Sequence, residues 1–260
     1  MKIVVHIGPD AAISSRLQSV LATKRGNLGG KGILYPRCTG EAGATRLFMA
    51  VTDPEHVDPL RHARALAGPD RQAALRDSLR SELEREIDAA TPDMLLLSSE
   101  HFGSAMHRPS EIARLREFLA SFSDDIRIVA HVDAQARALA RHYPRQVFAG
   151  RDAPLSRDLG LAGGWWDAAL ATMPDIRPEA GQFEEVQGAP FWLDYTRLVG
   201  EWEAVFGAGS VTLRPCPFEV LEGETATDEV RATFGLDVNI GKSAPWERPA
   251  PPSAACMRAR

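Results

Sequence analysis

Cysteine is scarce in this chain. Its three residues, Cys38, Cys216 and Cys256, are scattered, odd in number and without a CxxC pair. The pattern predicts free thiols in a reducing compartment, and neither a disulfide framework nor a zinc site. No apolar run approaches the roughly 18–20 residues that span a bilayer. The opening MKIVVHIG is too short an apolar run, and has no cleavage-like site, for a secretory signal. A cytoplasmic location is therefore expected. Positive charge is not in excess either: 30 Lys and Arg stand against 35 Asp and Glu, a net charge of −5. Nothing in that balance draws the chain to nucleic acid, and an anionic ligand would need a local basic pocket. Internal repeats and a domain linker are also absent. The 260 residues, 44% hydrophobic and 25% charged, read as one domain over 1–244. A Pro/Ala-rich tail follows over 245–260 and is expected to be flexible.

What is present is an alternation of short apolar runs with longer amphipathic segments, the pattern of an α/β domain with a mostly parallel sheet. Residues 2–8 read as a first strand and 13–22 as a helix with Leu17, Val20 and Leu21 on one face. A short extended piece, GILYP, follows at 32–36. Over 70–90, Leu75, Leu79, Leu83 and Ile87 recur every four residues among charges, which predicts a long helix ended by Pro92. Met94–Leu97 reads as a buried strand running into Ser98-Ser99-Glu100, and 126–132, IRIVAHV, as another. Helices are expected over 110–122, 134–147, 193–206 and 228–234, and a further strand over 210–216. Residues 150–188, with several Gly and Pro and the pair Trp165-Trp166, show little periodicity. They read as an irregular substrate-side insertion over the sheet end.

The segment HIGPDAAISSRLQ, residues 6–18, joins the first strand to the first helix. A phosphate-binding loop sits in that place, where a helix N-terminus offers free N–H groups and a positive dipole end. Such a loop needs glycines for its turn and a lysine for the phosphates. This one has a single glycine, Gly8, and no lysine; Ser14 and Ser15 offer hydroxyls. On spacing alone it reads as an N-capped strand-to-helix turn.

Several segments together resemble bacterial sulfotransferases of the P-loop superfamily. They are His6-Ile7-Gly8 with Gln18, GILYP at 32–36, LLLSSEHF at 95–102 and ARHYPRQVFAG at 140–150. LDYTRLVGEWEAVFG at 193–207, followed by VTLRPCPFEVL, completes the series. The resemblance runs from residue 1 to about 240 and rests on the order and spacing of the motifs. It implies an α/β three-layer sandwich around a central, mostly parallel sheet, a P-loop NTPase-like sulfotransferase fold. It also implies transfer of a sulfuryl group from 3′-phosphoadenosine 5′-phosphosulfate (PAPS) to a hydroxyl or amine, without a metal. That chemistry needs cations and N–H donors on the phosphosulfate, a base for the acceptor proton and a second anion site for the 3′-phosphate.

The departures fall on the residues that matter most. In the gap-free alignment the family's loop lysine falls on Ala11, its threonine on Ala12 and its glycine on Ile13, while Ser14 and Ser15 keep the hydroxyls and Arg16 follows. The 3′-phosphate positions fall on Asp133 and Arg141, with Arg137 one turn before Arg141 on the same face. The resemblance thus implies Gly8, Ser14, Ser15, Arg16, Arg137 and Arg141 as the cofactor-binding residues, and Glu100, at the end of a central strand, as the general base. Glu100 reads equally as a structural carboxylate. His6, His101 and His131 end or follow strands, Trp165-Trp166 either lines an acceptor pocket or packs the insertion, and Arg214 reads as a brace. Two functions follow: a PAPS-dependent sulfotransferase acting on a small-molecule or glycan acceptor with altered cofactor contacts, or a non-catalytic protein of the same fold acting as a binding or scaffolding partner. A third reading is an enzyme using Arg137 and Arg141 for a different anionic donor.

Overall fold

The computed structural model of the protein describes residues 1–161, 164–173 and 176–246. Five strands, β1 (Lys2–His6), β2 (Ile33–Leu34), β3 (Met94–Ser98), β4 (Ile126–Val132) and β5 (Val211–Pro215), form one sheet in the order β2-β3-β1-β4-β5. All four pairings are parallel. β1 lies at the centre, with His6 opposite Ser98 of β3 on one side and Val129 of β4 on the other.

The helices among the described residues are α1 (Ala11–Thr23), α2 (Arg25–Gly29), α3 (Thr45–Val51), α4 (Pro59–Ala63), α5 (Pro69–Ala90), α6 (Glu100–Ser104) and α7 (Pro109–Ala120). They continue with α8 (Gln135–Phe148), α9 (Leu155–Leu159), α10 (Trp165–Ala171), α11 (Glu184–Gln187), α12 (Tyr195–Phe206) and α13 (Ala226–Phe234). Parallel strands are buried on both faces and so read as continuous apolar runs. The period of two divides each run between two cores. Ile3, Val5, Leu95, Leu97, Ile128 and Ala130 pack with α3, α5, α7 and α12 on one face. Val4, Leu96 and Val129 pack with α1, α2 and α13 on the other. The result is the three-layer α/β sandwich.

The long helix α5 buries Leu79 and Leu83, as its four-residue spacing predicts. It ends at Ala90, and Thr91 turns left-handed (φ 41°) just before Pro92. Two expectations need correction. Among its described residues the 150–188 insertion is irregular only in part: α9, α10 and α11 lie in it, pieces of four to seven residues too short to print a helical period in the sequence. Trp166 is buried against Phe191, and Trp165 Nε1 donates to Pro190 O (2.6 Å), so the tryptophan pair packs the insertion onto the core. The tail does not begin at 245, because Trp246 N donates to Glu222 O (2.9 Å) and its ring lies against Phe218. Residues 247–260 of that tail lie outside the described residues. Helix α3, whose LFMAV is wholly buried, was not foreseen, because an apolar run of that length carries no period of its own.

Candidate functional site

The C-terminal ends of β1, β3 and β4 converge on the turn that enters α1. Helix α6 crosses it so closely that a Cβ on Gly103 would lie 1.9 Å from Ile7 O, and only glycine permits that approach. In the turn, Ser14 Oγ donates to Gly8 O (2.7 Å), tying the helix back to the loop. Asp10 is the N-cap of α1: its Oδ1 accepts from Ala12 N (3.0 Å) and Ile13 N (3.4 Å). A carboxylate of the protein thus occupies the helix N-terminus where an anionic ligand would bind.

The second Asp10 oxygen accepts from Arg141 Nε (2.9 Å) and Nη2 (2.6 Å), from α8. Arg141 Nη2 also donates to Asp133 Oδ2 (2.8 Å), just past the end of β4, and Arg137 Nη2 donates to Asp133 Oδ1 (2.5 Å). Burial pushes the Asp133 carboxyl up, but the hydrogen bonds from Arg137 and Arg141 outweigh it and hold the group down to about 2. The four side chains form a closed line, Asp10–Arg141–Asp133–Arg137, with two charges of each sign. Arg141 is one-quarter exposed; Arg137 is largely in solvent.

Arg16 is elsewhere. Its Nε donates to Leu221 O (2.9 Å) and its Nη2 to Ala244 O (2.6 Å) and Ser243 Oγ (3.1 Å), and its guanidinium covers the Trp246 ring. It ties Leu221, before α13, and the segment after α13 to α1. Ser15 is half-buried on α1.

Glu100 opens α6. Its Oε2 accepts from Gln18 Nε2 (3.0 Å), which also donates to Ser98 Oγ (3.3 Å), and Ser98 Oγ pairs with His6 Nδ1 (2.8 Å). The motif residues Glu100, Gln18, Ser98 and His6 are therefore one hydrogen-bonded chain. His6 and His131 are fully buried with ring centroids 4.9 Å apart, and burial, with the neighbouring His131, keeps His6 neutral. His101 stacks on Phe48 at 4.9 Å.

Beside this chain opens a cavity of about 260 Å³, lined among others by Pro9, Ala11, Leu60, Glu100, His142 and Glu185. His142 escaped the sequence reading, being one polar residue within an amphipathic helix. Burial, reinforced by Arg145 and Arg151, lowers it to about 3, so it is a neutral imidazole in the cavity wall. Glu185 comes from the insertion and accepts from His56 (2.9 Å), whose other nitrogen meets Glu111 (2.7 Å). Burial opposes charge on His56, but the two carboxylates prevail and raise it to about 10. Nothing in the spacing of His56, Glu111 and Glu185 announces this triad.

No family model matches the chain, and no curated protein matches it. Its structure is similar to the crystal structure of a sulfotransferase from Alicyclobacillus acidocaldarius, with a TM-score of 0.50 and 13% sequence identity, over 98% of this chain and 87% of that chain. An identity that low speaks to architecture alone: the chain has a sulfotransferase-like α/β fold, a five-stranded parallel sheet between two helical layers.

Proposed function

We propose that this protein is a sulfotransferase-fold binding protein whose donor-binding end is filled by its own side chains, and which therefore does not take up PAPS. The observation that carries this reading is the Asp10–Arg141–Asp133 bridge. Asp10 holds the α1 N-terminus, and Asp133 and Arg137 complete a cluster with no net charge to attract a phosphate. An entering anion would have to lift Asp10 from two N–H donors and from Arg141. Charge-assisted bonds of that kind are worth about 1.5–3 kcal/mol each, or roughly a tenfold to hundredfold loss of affinity apiece. The loop supplies no lysine in exchange, and Arg16 is committed to Leu221 and Ala244, on either side of α13. The residues present do not fit the phosphosulfate. Ligand binding is assigned instead to the cavity beside Glu100 and His142.

A second reading has an observation of its own. The cavity touches the turn (Pro9, Ala11) and a group able to accept a proton, the Glu100 carboxylate, with the neutral His142 beside it. That arrangement suits an enzyme in which a hydroxyl or amine acceptor sits there and Glu100 takes its proton. Calorimetric titration with 3′,5′-adenosine bisphosphate separates the two. The binding-protein reading expects no heat of binding at millimolar nucleotide. Micromolar binding that disappears in Arg141→Ala would overturn it in favour of the enzyme, and Glu100→Gln would then be the variant to assay for turnover.

A further inference from the structure

Away from the cavity, on the other side of β1, three potential metal ligands from distant parts of the chain meet. His131 lies near the end of β4, Cys216 follows β5, and Glu229 comes from α13. One ligand atom from each lies within 4.8 Å of the other two, and His131 and Cys216 are fully buried. We propose that His131, Cys216 and Glu229 form a binding site for a borderline-soft divalent transition metal, with zinc the best match to a nitrogen, sulfur and oxygen donor set.

Three features support the assignment. A tetrahedral zinc ion with ligands at 2.0–2.3 Å holds them about 3.3–3.8 Å apart, so the cluster needs to close by only about an ångström. His131 Nε2 already points at Glu229 Oε1 (3.0 Å), and an ion between them would take over that contact. Glu229 is also held from behind, since Arg214 Nη2 donates to its other oxygen, Oε2 (2.8 Å). Ligating carboxylates are commonly oriented by such an outer partner. In the metal-free cluster Arg214 Nε donates to Oε1, and Thr233 Oγ1, which donates to Glu229 O (2.7 Å), lies 2.9 Å from His131 Nε2 and 3.4 Å from Oε1; Arg214 Nε and the Thr233 hydroxyl would have to yield these two ligand atoms.

The polar inventory leaves room as well. His131 Nδ1 and His6 Nε2 are both buried without a hydrogen-bond partner beside this cluster. On metal binding the Cys216 thiol gives its proton to solvent and forms the sulfur–metal bond. The His131 ring proton moves from Nε2 to Nδ1, freeing the Nε2 lone pair for the ion. No redox partner is needed.

The test is titration of the full-length chain with Co²⁺, followed in the near-ultraviolet and visible. The site predicts a thiolate-to-cobalt charge-transfer band that saturates at a one-to-one ratio, is displaced by Zn²⁺ and is lost in Cys216→Ser. Because that variant could fail to fold, Cys38→Ser/Cys256→Ser leaves Cys216 as the one thiol and must retain the full band. His131→Gln should weaken Co²⁺ binding at least tenfold. No band at excess Co²⁺, or a band that vanishes when Cys38 and Cys256 are replaced, overturns the proposal.

Discussion

Asp133 and His56 show how single residues set the pH range of this protein. The Asp133 carboxyl is held at about 2, below its ordinary 3.8, because two arginines outweigh its burial. Its ionised form therefore stabilises the fold fully above that ordinary value, and the contribution disappears as pH falls through about 2. Denaturant unfolding between pH 5 and pH 2 should show a stability loss that Asp133→Asn flattens. His56 has the opposite sign. Raised from 6.5 to about 10 between Glu111 and Glu185, it contributes fully below 6.5 and loses that contribution as pH rises through about 10. His56→Gln removes the imidazolium from between Glu111 and Glu185 and leaves the fully buried Glu111 with Arg108 alone, at 3.6 Å, so it should destabilise by about 3 kcal/mol at pH 7. The alkaline fall in stability should vanish with it. A His56→Gln protein that keeps the wild-type pH profile would contradict this account. The sequence shows Asp133 and Arg141 as opposite charges eight residues apart, but not that they neutralise each other.

At the scale of elements, the crossing of α6 over the β1–α1 turn is the tightest contact at the site. Gly103→Ala would drive a methyl group into Ile7 O, whereas the same change in an open helix is favourable. Overpacking of that kind costs about 1–3 kcal/mol, so a lower denaturant midpoint is expected, together with a disturbed cavity. The C-terminal segment depends on Arg16 in a comparable way. Arg16→Ala removes hydrogen bonds to Leu221 O, Ser243 Oγ and Ala244 O and the cover on Trp246. Limited proteolysis should then cut within 236–246 several times faster than in the wild type, while the sheet remains protected. Element identity was legible wherever a segment was long enough to show a period: β4 matches residue for residue, and α5 and α12 start within two residues of expectation. Short helices such as α4, α9 and α11 were not, because fewer than two turns cannot separate a period of 3.6 from chance.

For the molecule as a whole, the sheet separates two cores that share a backbone and little else. Leu83→Ala on α5 opens a cavity in one layer and Val230→Ala on α13 in the other. The leucine change should cost about 2–5 kcal/mol and the smaller valine somewhat less. Combined, their effects should add within about 0.5 kcal/mol in denaturant unfolding, since the two sites share no partner. A large coupling would mean that the layers are not independent. No helix among the described residues is long and apolar enough to cross a membrane.

The layers follow from the hydropathy pattern. Runs such as KIVV and IRIVAHV demand burial on both faces, and the spacing of Leu75, Leu79, Leu83 and Ile87 demands a helix lying against them. The turn before α1 has no lysine. Which side chains fill that turn is set by tertiary contacts. Asp10 and Arg141 are 131 residues apart, and they meet because β1 and β4 are neighbours in the sheet. The same holds for Glu100 with His142 around one cavity and for His131, Cys216 and Glu229 around one point. Periodicity records which way a side chain faces relative to its own element. Which partner it faces depends on strand order, and no local pattern encodes that.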